Sequence, residues 1–484
     1  MNRTEMYRQL AAQTTPWDLI VIGGGATGAG IAVDATARGY RLLLVEQSDF
    51  GKATSSRSTK LVHGGVRYLE QGNLSLVMEA LKERGLLLGN APHLVRNLAF
   101  VVPTYDWWES PFYGIGLKVY NLLAGKYGFG DSRILSREET LQRLPTINPE
   151  GLRGGVVYYD GQFDDARLLI DLLQTAASLG ATLLNYARVT SVTKDVDGFV
   201  NGVHVCDALT GEEFDATART VINATGAFAD GVRRMAEPDA QPLIAPSQGV
   251  HLVFDRSFLA SDHAIMVPHT SDGRVMFAIP WHGHTVVGTT DTPVASATLE
   301  PVALEQEVDF ILQTASLYLA RKPERADVLS VFAGIRPLVR EGDAGNTAAL
   351  SRGHTIRIEQ SGMVTICGGK WTTYRRMAED CVNQAASLAG LPERPCETEH
   401  LRIAPPDPAE DFEAEVRRAV RQELAVTVED VLARRTRLLF LNARQAIQTA
   451  PQVAEWMAAE LGQDAHWQAA QLAAFRDLAK AYLL

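Results

Sequence analysis

Residues 22–28 have the sequence Ile-Gly-Gly-Gly-Ala-Thr-Gly and lie between an apolar run, 17–21, and an alanine-rich segment, 29–38. A second apolar run, 41–45, ends in the acid Glu46. This order predicts a strand, a glycine turn, a helix, a second strand and an acid at its end. The whole arrangement is more specific than a bare Gly-x-Gly-x-x-Gly, and it predicts an α/β dinucleotide-binding unit.

Each glycine of the turn has a separate physical task. Gly23 permits the tight turn, Gly25 lets a pyrophosphate approach the backbone, and Gly28 lets helix and strand pack closely. The helix N-terminus holds the negative charge of the pyrophosphate. Glu46 accepts hydrogen bonds from a ribose, and its distance from Gly28 is close to the expected spacing of about 20 residues.

Composition limits the range of functions. The chain has 484 residues, enough for two or three domains, and a formal net charge of −11. We expect no nucleic-acid partner, because binding a phosphate backbone needs a basic surface. The four cysteines form no Cys-x-x-Cys pair and have no histidine at a zinc spacing, so we expect reduced thiols and no metal. Residues 1–16 lack an apolar signal core, which predicts a cytoplasmic protein.

The order of predicted elements indicates interleaved domains of α/β class. The nucleotide fold begins at the glycine turn and is entered again near 218–226 and 368–386, while strand patterns dominate 251–287. We predict a Rossmann-like nucleotide domain, a β-rich substrate domain and a small helical C-terminal domain. The nucleotide-binding segments are expected at about 17–75, 150–235 and 330–390, and the substrate-domain segments at about 76–149 and 236–329. Together they form one unit over 1–390. A linker at 391–408 and a shortened helical domain at 409–484 follow it.

Three features favour FAD over NAD as the dinucleotide. The turn begins within the first 25 residues, and no second Gly-x-Gly-x-x-Gly exists for a nicotinamide nucleotide. The late turn 368–373 opens a helix, whose dipole suits a flavin carbonyl or developing negative charge. Small hydroxyls and bare backbone for an extended cofactor come from Thr54, Ser55 and Ser56 and from His63, Gly64 and Gly65.

Several longer strings occur in one order between about residues 17 and 390. They are Thr-Ser-Ser-Arg-Ser-Thr-Lys at 54–60, Leu-Val-His-Gly-Gly-Val-Arg-Tyr-Leu at 61–69, Phe-Asp-Asp-Ala-Arg at 163–167, Asn-Ala-Thr-Gly at 223–226, Ile-Pro-Trp at 279–281, Gly-Thr-Thr-Asp at 288–291, Gly-Ile-Arg-Pro-Leu at 334–338 and Gly-Gly-Lys-Trp-Thr-Thr-Tyr-Arg at 368–375. With these strings the chain resembles the FAD-dependent glycerol-3-phosphate dehydrogenases of respiratory metabolism.

The resemblance implies FAD as cofactor, glycerol 3-phosphate as substrate, hydride transfer to flavin N5, and electrons passed to a quinone. It also implies a homodimer. The C-terminal domain departs from the family pattern: residues 427–437 look like the family's helical module, but the linker before them is far shorter and several helices that family members carry there are missing. The departure affects what those helices do, such as dimer contacts or quinone-side packing, and leaves the redox centre alone. The implied substrate-binding residues are Arg67, Arg336, Arg352 and Lys370. The implied cofactor-binding residues are Gly23, Gly25, Gly28, Glu46, Thr54, Ser55, Ser56, His63, Gly65, Val189, Gly226, Gly334, Gly369, Lys370 and Thr372.

The residues themselves support this chemistry. A phosphorylated substrate needs cations, and the planar fork of Arg binds phosphate with two hydrogen bonds. Arg336 precedes a proline, which favours an extended conformation suited to a strand end. His251 is the candidate base, because an imidazole titrates near working pH and its neutral form can take a proton. Arg336 is the second candidate catalytic residue. A structural role for His251, and Arg67 as an orienting cation, remain alternatives. The pair Asp164 and Asp165 resembles paired carboxylates but is expected to cap a helix that begins at Ala166.

Other interpretations remain open. The apolar stretch 111–126, flanked by Lys118 and Lys126, is either a core helix or a peripheral membrane contact on the inner face of the cytoplasmic membrane. An oxidase that forms hydrogen peroxide differs little in sequence from a dehydrogenase. An amine or amino-acid oxidase of the same fold would need one carboxylate-binding Arg rather than several cations. An inactive flavin-binding regulatory protein is the non-enzymatic alternative.

Overall fold

The computed structural model describes residues 1–65, 73–106, 109–268, 270–271, 273–340 and 353–484. Within these ranges the strands form two sheets, and helices pack against both. The first sheet has eight strands in the described part of the chain. In spatial order these are β17 (His354–Ile358), β18 (Val364–Gly368), β10 (Glu213–Asn223), β1 (Trp17–Ile22), β2 (Leu42–Val45) and β7 (Thr182–Leu184), with β9 (Val200–Asp207) on β10 and β8 (Ala187–Lys194) on β9.

The second sheet has ten strands in the same ranges, and β11 lies near one end. In spatial order they are β15 (Thr292–Pro293), β11 (Ile244–Asp255), β14 (His284–Gly288), β13 (Met276–Trp281), β12 (Ala264–Val267), β4 (Val95–Thr104), β6 (Gly154–Phe163) and β3 (Leu61–Val62), with β16 (Ser330–Val339) on β11 and β5 (Arg133–Ser136) on β6.

The α-helices of the described residues lie around and beyond these sheets. They are α1 (Arg3–Ala12), α2 (Ala26–Ala37), α3 (Leu74–Asn90), α4 (Glu109–Ala124), α5 (Arg137–Arg143), α6 (Asp165–Ser178), α7 (Ala229–Ala236), α8 (Glu305–Tyr318), α9 (Tyr374–Leu388), α10 (Phe412–Gln422), α11 (Leu438–Leu441), α12 (Ala443–Leu461) and α13 (Ala465–Ala479). None of them is both long and apolar enough to cross a bilayer.

The opening unit folds as its pattern predicts. β1 pairs in parallel with β2 on one side and with β10 on the other. Both β1 and β2 are almost fully buried, which explains their continuous apolar runs. Helix α2 packs against α6 and α9, and most of its buried residues are small and apolar. The nucleotide fold returns at 218–224 as β10, which pairs in parallel with β1, and just before 368 as β18, which pairs in parallel with β10.

The sheets interleave more finely than the expected ranges. Strands β6 and β16 belong to the second sheet, although 150–235 and 330–390 were expected in the nucleotide domain. Strand β3 also pairs with β6 in the second sheet, inside the expected range 17–75. Alternation of buried residues cannot tell which sheet a strand joins, because both sheets bury most of their strand residues.

The segment 391–408 has no regular secondary structure but is packed against the nucleotide domain. Tyr40 donates to the carbonyl of Pro392 at 2.7 Å, and Asn90 donates to the carbonyl of Thr398 at 3.0 Å. Ile403 is buried. The segment therefore lies against the nucleotide domain as ordered chain, and the helices that follow it contact both sheets.

Candidate active site

A cavity of about 570 Å³ lies between the two sheets. One end is formed by the carboxyl ends of β1, β2, β10 and β18, where open α/β sheets bind ligands. The other end is formed by side chains of β11 and β16. The cavity therefore joins the predicted nucleotide site to the predicted substrate site.

The glycine turn fits a dinucleotide. Gly23 has φ +112°, and a Cβ there would lie 2.7 Å from the carbonyl oxygen of Ala224. Gly25 begins α2 without a side-chain cap and faces the cavity. A Cβ at Gly28 would lie 1.9 Å from the carbonyl oxygen of Gly23, so this position holds the helix against the turn. Bare backbone and an open helix N-terminus are what a pyrophosphate requires.

Glu46 faces the same end of the cavity. Its carboxylate accepts from the backbone N–H of Gly24 at 2.7 Å and of Ser48 at 3.0 Å. Burial raises the pKa of Glu46 to about 7 despite these two bonds. Additional donors, such as ribose hydroxyls, favour the ionised carboxylate.

Three loops meet in the middle of the cavity. Ser55 Oγ accepts from the N–H of Ala26 at 2.9 Å, and its carbonyl accepts from Trp371 Nε1 at 2.9 Å. Thr372 Oγ1 accepts from the N–H of His63 at 3.2 Å. The glycine turn, the hydroxyl cluster and the late turn are thus bonded to one another, although they are far apart in the chain.

His251 and Arg336 lie on one face of the second sheet. In the antiparallel pair β11–β16, Ser247 stands opposite Arg336 and His251 stands opposite Phe332. Side chains at every second position share a face, so His251 and Arg336 point to the same side. Between them Gly249 pairs with Gly334. His251, Arg336 and the two glycines line the cavity, whereas Ser247 and Phe332 do not. The missing side chains make room for arginines: an added Cβ at Gly249 would lie 2.3 Å from a guanidinium nitrogen of Arg336, and one at Gly334 would lie 2.9 Å from the Cβ of Arg57.

The imidazole of His251 is 2% exposed and held on two sides. It stacks on Phe332 with ring centroids 4.9 Å apart, and Nε2 lies 2.9 Å from Thr59 Oγ1. Burial, together with the positive charges of Arg336 and Lys60, lowers the pKa of His251 well below its usual value. The ring is therefore neutral at working pH and able to accept a proton.

The guanidinium of Arg336 is held in place by the turn after β14. It donates to the carbonyl of Thr290 at 2.9 Å, to Thr289 Oγ1 at 3.1 Å and to Asp291 Oδ1 at 3.3 Å. Its side chain is partly exposed toward the cavity. Lys370, in the late turn, lines the same cavity, so the two described cations that were expected to bind phosphate face one space, which Lys52, Arg57 and Arg188 also line.

Most residues expected at the site line this cavity. These are Gly23, Gly25, Glu46, Thr54, Ser55, His63, Val189, Gly226, His251, Gly334, Arg336, Gly369, Lys370 and Thr372. Gly28, Ser56 and Gly65 are buried behind the wall instead. Ser56 supports the site from there, because its carbonyl accepts from Lys60 Nζ at 2.7 Å. Arg67 and Arg352 lie outside the described residues.

Sequence reasoning missed several residues around His251. Thr59 binds the imidazole, and Lys60 forms a fully buried ion pair with Asp165. Of the two acids expected to cap this helix, Asp164 does so through the N–H of Arg167, while Asp165 is the first residue of α6 and holds Lys60. Asp291 orients Arg336. The strings at 54–60 and 288–291 contained these residues, but nothing in a string says which side chain faces a neighbour. In the described residues no group of acids, histidines and cysteines has the arrangement of a metal site.

Fold and cavity define an FAD-dependent oxidoreductase. The family model described as "FAD dependent oxidoreductase" matches residues 18–375, and "C-terminal domain of alpha-glycerophosphate oxidase" matches residues 368–469. The human mitochondrial glycerol-3-phosphate dehydrogenase is 40% identical over 528 aligned residues, which cover 95% of this chain and 72% of that protein. The chain therefore belongs to the FAD-dependent glycerol-3-phosphate dehydrogenase family.

Two further similarities agree with this assignment. A mitochondrial glycerol-3-phosphate dehydrogenase of Arabidopsis thaliana is 47% identical, over 81% of this chain and 64% of that protein. The solved structure of the glycerol-3-phosphate dehydrogenase from Bacillus halodurans complexed with FAD has a TM-score of 0.82 and 29% identity, covering 99% of this chain and 98% of that one. The resemblance inferred from the strings is thus confirmed, as are the fold class and FAD as the cofactor.

Proposed function

We propose that this protein oxidises sn-glycerol 3-phosphate to dihydroxyacetone phosphate and passes the electrons to a quinone. The observation that carries the proposal is one cavity that joins a dinucleotide turn to a neutral histidine and two cations. FAD, when bound, supplies the acceptor for the hydride of the alcohol carbon. The protein supplies binding, orientation and a proton acceptor.

Each role has a candidate residue. Arg336 and Lys370 hold the phosphate dianion, with Arg67 and Arg352 as further expected cations outside the described residues. His251 takes the proton of the secondary hydroxyl, because its imidazole is neutral and shares one face of the second sheet with Arg336. Thr59 fixes the orientation of that ring.

Anaerobic reduction of the bound flavin tests the substrate. We expect glycerol 3-phosphate to bleach the flavin absorbance, glycerol to do so only at far higher concentration, and glycine or sarcosine not at all. Bleaching by an amine or amino acid would instead favour that class of oxidase. A yellow protein that no substrate bleaches would indicate the inactive flavin-binding alternative and refute the proposal.

The electron acceptor needs a separate assay. The C-terminal match to a glycerophosphate oxidase domain favours oxygen as the second candidate. We expect reduction of a soluble quinone analogue to exceed peroxide release by at least tenfold under air. Equal rates of peroxide release and substrate loss would identify an oxidase.

An exposed apolar face of α4 supports contact with a quinone-bearing membrane. Phe112, Ile115, Val119 and Leu122 are exposed at helical spacing, while Tyr120 on the opposite side accepts from the N–H of Gly64 at 2.8 Å. The face thus lies one helix away from the cavity wall. The other side of α4 is buried in the core of the protein. The core-helix interpretation of 111–126 therefore describes the buried side, and the exposed side of the same amphipathic helix supports the proposed membrane contact.

Flotation with liposomes tests this contact. We expect Leu122→Glu to lower the bound fraction, whereas Val196→Glu, on an exposed turn of the first domain, leaves it unchanged. Failure of the unchanged protein to float would exclude the membrane contact. The homodimer implied by the resemblance stays a prediction, and sedimentation equilibrium checks it.

A further inference from the structure

The carboxylate of Asp49 is fully buried where the nucleotide domain meets the C-terminal helices. Arg435 donates to both of its oxygens, at 2.5 and 3.0 Å, and Arg434 Nε donates to Oδ2 at 2.5 Å. The side chains of all three residues are at most 1% exposed. Asn185 adds a bond of 3.4 Å to Oδ1. We call Asp49, Arg434 and Arg435 the Asp49 clamp.

The two arginines come from a widened helical turn. Residues Asp430–Arg435 form a π-helix between α10 and α11, in which the N–H of Thr436 bonds to the carbonyl of Val431 five residues earlier, at 2.9 Å. Irregular turns of this kind are rare and occur frequently at functional sites. Here the turn presents two consecutive guanidinium groups to a single carboxylate.

The clamp is continuous with the adenosine end of the cavity. Asp49 lies three residues after Glu46, which lines the cavity and binds the N–H of Gly24. On the other side of Asp49, the N–H of Gly51 donates to the carbonyl of Gly24 at 3.1 Å. Phe50 is fully buried beneath Gly24, where an added Cβ would lie 2.5 Å from its ring. The loop 46–51 therefore forms a wall of the nucleotide site. Within this loop, which the structure describes in full, Asp49 is the residue whose buried side chain binds the C-terminal helical region.

The surrounding charges hold the clamp in one arrangement. Arg434 also binds Glu429 at 2.8 Å and Asp430 at 2.9 Å, and Arg435 donates to the carbonyl of Glu423 at 2.6 Å. Lys52, which lines the cavity, binds Glu429 at 2.7 Å. Burial alone would raise the pKa of Asp49, but Arg435 and Arg434 outweigh it and hold the pKa well below its usual range. A buried charge that loses its partners is strongly unfavourable, so the loop has little freedom to leave the helices.

We propose that the Asp49 clamp retains FAD, by locking the loop 46–51 over the adenosine end of the cofactor from the C-terminal helical region. The three residues are positioning residues, because they act on the cofactor through Glu46 and Gly24. This gives the C-terminal region a role in holding the cofactor, in addition to the dimer contacts or quinone-side packing that were considered for the family's C-terminal helices. The inference rests on FAD binding at the glycine turn and is independent of the alcohol that is oxidised.

FAD release measures the clamp directly. Flavin fluorescence rises as FAD leaves the protein, so the release rate and the Kd of the apoprotein are both accessible without substrate. We expect Asp49→Asn, which keeps the shape but removes the charge, to raise the FAD Kd and the release rate at least tenfold. Arg435→Lys, which keeps the charge but loses the fork, should raise both at least threefold.

Arg421→Lys is the matched control. Arg421 also binds a carboxylate with two bonds, to Glu460 at 2.6 and 2.7 Å, but that pair lies within the C-terminal helices and away from the loop. We expect its FAD Kd to stay within twofold of that of the unchanged protein. Excess FAD should restore the activity of both clamp variants without a change in the KM for the alcohol.

Three outcomes would overturn the proposal. In the first, the clamp variants bind FAD as tightly as the unchanged protein; in the second, they bind it no more weakly than Arg421→Lys does. Alternatively, their melting temperatures would fall equally with and without FAD while the Kd stayed constant, which indicates a purely structural contact. Where Asp49→Asn does not fold, Arg435→Lys decides. A protein that fails to oxidise glycerol 3-phosphate still gives a readable Kd, so this test stands apart from that of the proposed reaction.

Discussion

The buried ion pair of Lys60 and Asp165 allows a quantitative prediction about the support of the site. Lys60 Nζ donates to both carboxylate oxygens of Asp165, at 2.8 and 2.9 Å, and to the carbonyl of Ser56 at 2.7 Å. Both side chains are 0% exposed. The ammonium also lies 4.9 Å from the ring centroid of Trp281. We therefore choose Lys60→Met, which keeps the length of the side chain and removes its charge.

The magnitude follows from burial. Removing one partner of a buried pair leaves an uncompensated charge and costs about 3 to 5 kcal/mol. Asp165 keeps the bonds from the N–H and hydroxyl of Ser58, so the lower half of that range applies. With an unfolding entropy of about 2 cal/mol/K per residue over 484 residues, the melting temperature of the FAD-loaded protein should fall by roughly 3 to 4 °C.

The chain contains a matched control for this substitution. Lys480 lies 2.9 Å from Asp477, the same residue pair at the same distance, but the side chains are 75% and 81% exposed. Exposed pairs contribute little, so Lys480→Met should shift the melting temperature by less than about 1 °C. Calorimetry or circular dichroism at one FAD concentration gives both values. Equal shifts for the two variants would refute the reasoning that burial sets the cost.

Three further predictions concern the site itself. Gly28→Ala should abolish FAD binding in a folded protein, because its Cβ meets backbone, whereas Gly89→Ala, with open space around it in α3, should bind FAD normally. Arg336→Lys should raise the KM for glycerol 3-phosphate roughly 10- to 100-fold, as steady-state kinetics will measure, because Lys cannot keep the bonds to Thr289, Thr290 and Asp291 that fix this cation in the cavity. The pKa of His251 is lowered, so kcat/KM should stay flat as pH falls through 6.5 and decline only below it, and Lys60→Met should move that decline to higher pH. A midpoint at or above pH 6.5 in the unchanged protein would contradict a base held neutral by burial.

The opening βαβ unit could be predicted because its signals are local. The run into β1, the glycines and the acid after β2 all lie within thirty residues, and each has a backbone reason to be there. The apolar periodicity of residues 74–89 and 165–179 likewise predicts two helices, whose ends lie within a residue or two of those of α3 and α6. Backbone geometry and periodicity suffice for such elements.

The other half of the site depends on long-range pairing. His251 and Arg336 were both proposed, but their shared face follows from the register of β11 and β16, which no local pattern encodes. The glycine pair between them has the same origin. The contact between the C-terminal helical region and the loop 46–51 was not foreseen at all, because Asp49 and the two arginines that bind it are separated by almost the whole chain.

The arrangement around His251 reconciles two requirements that oppose each other. Holding a dianion calls for cations, but each cation near the imidazole lowers its pKa and makes it a weaker base. Here each cation carries its own acid: Asp165 pairs with Lys60, and Asp291 contacts Arg336. These carboxylates offset part of the positive charge, so they limit how far the two cations lower the pKa of the imidazole, while the cavity still attracts phosphate. In the proposed mechanism the two acids therefore adjust the strength of the base, although neither of them lines the cavity.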